Sequence, residues 1–306
     1  MSDPNAESSN LLAKVSEWLN EQGYPLEFEA AATFRRAGFS VRQGAYVRTP
    51  DTEKPREIDV TACVDSSEDC LIRVYHLVEC KWSQTKPWIV FTSAHGIGPA
   101  ACVSQTISSD FGSAILWKEA GRKELQDLAL FATPKRSGFN GRQAFSQGKD
   151  HFYDAMHSVT TLSTLRMKYY DEHRREGQIP ESAVVAFPVI VVDGELYEAY
   201  YDESKNDVTL AGASHLRCHW KGSPAWHRHA TVDIVTLDHL QEFATKRRTE
   251  VDQLISLMRL SRDEIFNCFT GGKLEEIEIT DGARGTLGLH RLFRELKAHQ
   301  PDPPPR

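Results

Sequence analysis

Residues 77–83 read LVECKWS and close a longer run, LIRVYHLVECK (71–81), whose composition is otherwise that of a buried strand. Side chains alternate across a strand, so Glu79 and Lys81 share one face while Val78 and Cys80 share the other. A charge is costly to bury without a partner, so a strand ending in Glu-Cys-Lys needs something for its charges to meet. The preceding strand-like run, REIDVTACV (56–64), supplies a candidate. There Ile58 and Val60 share a face, and Asp59 lies opposite with Glu57 and Thr61. With the apolar faces of both runs against one core, Asp59, Glu79 and Lys81 are expected to emerge together on the other, wet side.

Two close carboxylates repel, and the pKa of either rises unless a cation sits between them. Lys81 compensates in part. A hard divalent cation does so better, taking oxygens from Asp59, Glu79 and the backbone carbonyl of Cys80, with waters completing an octahedron. Lys81 beside it is placed to orient or help deprotonate an attacking water, or to stabilise charge on a phosphate oxygen, which together make a phosphodiester-hydrolysing site. The competing reading is an exposed Glu79–Lys81 ion pair on an ordinary sheet edge.

An acid ending one strand and (D/E)-x-K ending the next, here EID…ECK, resembles the signature of the PD-(D/E)xK, or restriction-endonuclease-like, nuclease superfamily. LEFEAAATFRRAGFSV (26–41) resembles the opening helix and strand of its Mrr-type members. The resemblance implies an α/β fold with an αβββαβ core, a central mixed sheet flanked by helices, and C-terminal β/α additions. It also implies a Mg²⁺-dependent nuclease, with Mn²⁺ as a substitute, acting on DNA rather than RNA in defence or restriction, with repair second. Asp59, Glu79 and Lys81 take the catalytic positions, and Glu29, following Phe28, matches the family's helix glutamate, with Glu27 as the alternative. Gln143 and Gln147 are candidates for a glutamine that some relatives carry on the second helix. The motif's usual proline is Ile58 here. The likeness covers 24–81 by motif and 140–192 by element order alone. A catalytically inactive nucleic-acid-binding or scaffold protein on the same core is the alternative function, and a homodimer or a recruiting protein the expected partner.

Organisation along the chain agrees with that order. A helix is expected from Asn10 to Gln22, with Leu11, Leu12, Val15, Trp18 and Leu19 on one face, and a second from Pro25 to Gly38. Strands follow at 39–47, 56–64 and 71–81, the last two flanking a DSSED hairpin turn. The insert 82–139 is assigned only a helix near 113–121. Residues 140–177 carry Ala144, Phe145, Phe152, Met156, Val159 and Leu162 at helical spacing. After the strand 184–192, the Asp193-Gly194 pair predicts a tight hairpin turn into ELYEAYYD, with a strand at 231–237 and a helix at 238–269. Three parts are expected: a tail and helix (1–23), the nuclease domain with its insert (24–237), and a helical extension with a Pro-rich tail (238–306).

The formal charge of −7 argues against coating nucleic acid through bulk positive charge, and leaves room for local basic groups. Lys135, Arg136, Arg142 and Lys149, in TPKRSGFNGRQAFSQGK (133–149), are read as a phosphate-contact loop. TKRR (245–248) and HRR (173–175) are read as exposed helix faces, and Trp82 and Trp88 as cover for a core in preference to base stacking. CHWKGSPAWHRH (218–229) offers Cys218, His219, His227 and His229 to zinc, but without finger or ribbon spacing, so a loop between strands is expected. A zinc-stabilised interaction protein is a third reading. The longest apolar run, VVAFPVIVV (184–192), is too short for a bilayer. The polar N-terminus lacks a secretory h-region, and six cysteines without a CxxC pair predict reduced thiols in a cytoplasm.

Overall fold

The computed structural model describes residues 4–47, 55–66, 71–83, 85–94, 96–146, 148, 150–172, 175–220, 230–277 and 290–301. The chain is α/β, with helices flanking a large mixed sheet. Helix α1 (Pro4–Glu21) leads through Gly23 into α2 (Tyr24–Arg36), which carries Pro25 in its first turn. Strands β1 (Ser40–Val47), β2 (Arg56–Asp65) and β3 (Leu71–Trp82) follow as an antiparallel meander. The insert contains β4 (Trp88–Ser93), α3 (Pro99–Ser104), β5 (Ile107–Ser108), α4 (Asp110–Glu119), α5 (Lys123–Gln126) and the start of β6 (Ser137–Gln143). Then come α6 (His151–Glu172), β7 (Ser182–Asp193), β8 (Leu196–Asp202), β9 (Asp207–Ala213), β10 (His215–Trp220), β11 (Ala230–Thr236), α7 (Leu240–Thr270) and α8 (Arg291–His299). The expected sequence of helix, three strands, helix and strand is present, with the insert's elements between β3 and α6.

β7 is an unbroken apolar run because it is buried on both faces. It lies parallel to β3 from Leu71↔Ser182 to Trp82↔Asp193. On one face Val60, Val74, Val78 and Val189 pack with Ala30 and Phe34 of α2 and Leu254 and Met258 of α7. On the other, Tyr75, Leu77, Ile190 and Val192 pack with Phe152, Met156 and Val159 of α6. The face of β3 expected to be wet is therefore a second core as far as Leu77, because the apolar stripe of α6 covers it. Arg73 lies at the near end of that face, paired with Asp65 and donating to Tyr170 of α6 at 2.8 Å, and after Leu77 charge resumes at Glu79. Five buried apolar residues on β3, each contributing about 1.5–3 kcal/mol, outweigh the cost of a strand that ends in a charged pair.

The rest of the sheet departs from expectation. Strand order is β1-β2-β3-β7-β11-β10-β6-β4-β8-β9, with β5 also on β7. Asp193-Gly194 is not a hairpin turn: β8 runs parallel to β4 (Trp88↔Leu196) and makes its hairpin with β9 instead. The Trp88 N–H donates to the Glu195 carbonyl (2.9 Å), which helps carry the chain beyond β3 to the far half of the sheet. That half joins the rest through one rung, Cys218↔Gly138. A side chain at 138 would collide with the Cys218 sulfur, so only glycine permits this approach. Ala144 and Phe145 precede the helix on which they were expected, and Phe145 is exposed with φ +57°. Their neighbours pair instead as β6 with β4, a strand disguised in sequence by two glycines. On α1, Leu11, Leu12, Val15 and Trp18 remain exposed.

α7 completes the first core and corrects the reading of TKRR. Arg247 is 2% exposed, donating to Asp233 (3.1 Å) and Glu250 (2.8 Å), while Arg217 takes Asp233 from β10. Burial alone would push Asp233 up, but Arg217 and Arg247 carry it well below the usual carboxylate range. His76 sits nearby, wholly buried against Phe34, Phe39 and Phe187, with no hydrogen-bond partner for either ring nitrogen. Burial, aided by the Arg247 charge, lowers it to about 3. The unfolded chain therefore binds a proton that the fold refuses, and stability is lost as pH falls from 6.5 towards 3, by up to about 1.4 kcal/mol per pH unit. Urea titrations of wild type and His76→Leu at pH 7 and pH 4.5 should show the smaller acid loss in the variant. Parallel losses would rule out His76 as the source.

No described helix is long and apolar enough to cross a membrane. Cys63, Cys80, Cys102, Cys218 and Cys268 are free thiols.

Candidate functional site

The β2–β3 ladder runs from Asp65↔Arg73 to Val60↔Val78 and stops there. Past that rung β2 stays beside β1 and β3 stays beside β7, so the two strands fork, and Asp59, Glu79, Cys80 and Lys81 follow directly on the last rung. Gly44 explains the divergence. It adopts φ +64° between the rungs Gln43↔Val60 and Ala45↔Ile58, opposite Asp59. Before it, Val41 and Val60 belong to the α2 core; after it, Ala45, Val47 and Ile58 belong to the α6 core. The ribbon rolls over at this point.

Asp59 bridges the fork. One carboxylate oxygen accepts the Cys80 N–H at 2.7 Å, replacing the lost ladder bond. N–H and C=O of a paired strand residue face the same neighbour, so the Cys80 carbonyl also faces this gap. Burial and then the Glu79 charge push Asp59 up to about 7, against the opposing pull of the Cys80 N–H and Lys81. Glu79 is 8% exposed, with one oxygen on the Lys81 ammonium and the other accepting from Ser158 on α6 (3.0 Å). Burial lowers Lys81, but the charge and hydrogen bond of Glu79, with Asp59, hold it above its ordinary value and therefore protonated. Burial pushes the Cys80 thiol well up, which disfavours its thiolate.

Of the two glutamates considered on α2, Glu27 rather than Glu29 lies towards the charged cluster. Glu27 is half-buried, and its carboxyl is raised by burial and by Glu57, with Lys81 opposing and Glu79 adding to the rise. Two positions further, about 200° around the helix, Glu29 is exposed. Spacing from Phe28 does not report this rotation; the buried positions of α2 do.

Of the remaining candidates, Gln143 reaches the site, donating to Ser83 at 2.6 Å beside a cleft of about 260 Å³ next to Lys81. Arg136 does not: its guanidinium grips Glu198 through two 2.8 Å bonds and stacks on Tyr200 at 3.6 Å. Arg142 pairs with Asp150, and Lys135 is exposed. Gln147 and Lys149 lie outside the described residues, as do His227 and His229. Cys218 is buried with its thiol pushed up, in the core rather than in a metal loop. Trp88 is core, and Trp82 is exposed. Ser158 escaped sequence reading, since nothing local marks a serine on the apolar side of a helix as the partner of an acid 79 residues away.

The donor set fits a hard divalent cation. It offers two carboxylates and a carbonyl, and the cation facing Asp59, Lys81, is already engaged by Glu79. Apart from the Cys80 N–H, Asp59 has no hydrogen-bond partner among the described residues. Among those residues no three His, Cys, Asp or Glu side chains converge as a metal cluster. A metal here would keep several waters, as Mg²⁺ prefers. Comparison with known proteins adds no relative: no family model, curated protein or solved structure matches the chain.

Proposed function

We propose that the chain is a metal-dependent nuclease on a restriction-endonuclease-like core, hydrolysing phosphodiester bonds, with DNA preferred over RNA on the resemblance alone. The observation that carries this reading is the fork, where a partly buried acid raised to about 7 faces a second acid whose lysine is already used. Asp59, Glu79 and the Cys80 carbonyl would hold Mg²⁺, or Mn²⁺ in its place. The ion supplies Lewis-acid polarisation of the phosphate and a more acidic water. Lys81, protonated, stabilises charge on the phosphate and orients the attacking water. Glu79 is positioned by Ser158, and Glu27 supports the site from α2. A double-strand cut needs two such sites, supplied by a second copy or a partner. Defence, restriction or repair is the proposed setting, on the same resemblance.

The test combines calorimetric titration with Mn²⁺ and plasmid cleavage on wild type and Asp59→Ala. Binding and cutting are expected to vanish together in the variant. Glu27→Gln should lower cleavage about tenfold or more, as for outer-shell partners, and Glu29→Gln should leave it unchanged. A well-folded wild type that binds no metal sinks the reading; nucleic-acid binding without metal binding would identify an inactive binding protein.

A further inference from the structure

The cleft beside Lys81 is lined by Lys81, Ser83, Lys86, Trp88, Gln143 and His151, together with Trp82 and Thr85. No carboxylate is among these residues, so the lining is cationic and rich in donors. Trp88 is 0% exposed, yet its indole N–H has no hydrogen-bond partner. Buried indole donors ordinarily find an acceptor, and leaving one unmet is costly. Lys86 is exposed and makes no ion pair among the described residues. The wall is built rather than loose. Gln143 donates to the Ser83 hydroxyl, that hydroxyl donates to the Lys86 carbonyl, and the Ser83 N–H donates to the Asp193 carbonyl at 2.9 Å. The Trp88 ring is braced against Phe152 of α6, 5.5 Å between centroids. At about 260 Å³ the cleft holds a phosphate with its waters, and it is smaller than pockets for drug-sized ligands.

We infer that this cleft is a phosphate subsite, holding a strand phosphate adjacent to the one at the fork; the inference rests on the nuclease reading for its substrate, and on Trp88, Lys86 and His151 for its chemistry. An internal phosphodiester and a terminal phosphate monoester present the same oxygens, and the test separates them.

Indole-¹⁵N tryptophan labelling of the full chain makes the Trp88 N–H its own reporter, assigned by Trp88→Phe. In EDTA, inorganic phosphate should move that resonance saturably, while chloride at equal ionic strength should not. Lys86→Gln and His151→Gln should each weaken the response about tenfold, with the other tryptophan signals in place as a check on folding. Oligonucleotides with and without a 5′-phosphate then identify the source: a response only to the phosphorylated strand marks an end-recognising subsite, and an equal response marks an internal one. A Trp88 signal that phosphate moves no more than chloride, or that both variants leave unchanged, overturns the proposal. Because no metal or turnover is involved, phosphate binding without cleavage would retire the nuclease reading alone, and cleavage without the Trp88 response would retire the subsite alone.

Discussion

Asp59→Asn is expected to make the metal-free protein more stable at pH 8 while abolishing Mg²⁺-dependent cleavage. The carboxylate is raised from its ordinary 3.8 to about 7 by burial and by Glu79. The folded chain holds a proton there that the unfolded chain has released, so stability is intact below pH 3.8 and falls as pH rises towards 7. Above that the full penalty applies, on the order of 4 kcal/mol. Asparagine keeps an oxygen for the Cys80 N–H and removes the charge. The difference between variant and wild type should be near zero at pH 4 and several degrees of melting temperature at pH 8. Mg²⁺ should raise the midpoint of the wild type only, since a ligand stabilises the form that binds it. His76 tilts stability the opposite way over an overlapping pH range, so only comparison with each variant isolates its group. Equal stabilisation of both proteins by Mg²⁺, or a less stable variant at pH 8, would count against a cation site at the fork.

Lys81→Met should lower cleavage by about 10²–10³-fold, the usual cost of removing one group that meets developing charge. Metal binding should survive. The substitution also leaves Glu79 buried without its cation, held only by the Ser158 hydroxyl. Breaking one side of a buried pair is strongly destabilising, although the partial exposure of Lys81 moderates the loss here. Added Mg²⁺ should therefore stabilise Lys81→Met more than wild type, because the ion replaces the missing charge. Lys81→Arg should not restore the rate, since a planar fork differs in shape and reach from a compact ammonium. Wild-type cleavage by Lys81→Met would reduce Glu79–Lys81 to an ordinary ion pair.

Much of the first half was legible because its signals are local. Proline and glycine bracket α2; alternation marks β2 and β3; EID and ECK lie on those two strands, just past the last rung that joins them. The second half was not. SGFNGRQ reads as a loop because its two glycines lack side chains to show a pattern, yet glycine at 138 is what lets β6 lie against Cys218. Asp193-Gly194 has the composition of a hairpin turn, but β7 is already flanked by β3 and β11, so β8 pairs elsewhere. Arg247 sits in a string of basic residues and is buried because Asp233 on β11 meets it, with Glu250 one turn on in the same helix completing the pairing.

The sequence by itself determined the order of helix and strands through β3 and the three charged residues that belong together. These follow from periodicity and spacing, which are properties of neighbours along the chain. Only the tertiary structure decided that the strands part at Val60–Val78, that Glu27 rather than Glu29 turns to the gap, that Ser158 holds Glu79, and that a donor-lined cleft opens beside Lys81. Those depend on register and on the roll at Gly44, set by contacts between residues far apart in the chain, which no local pattern records.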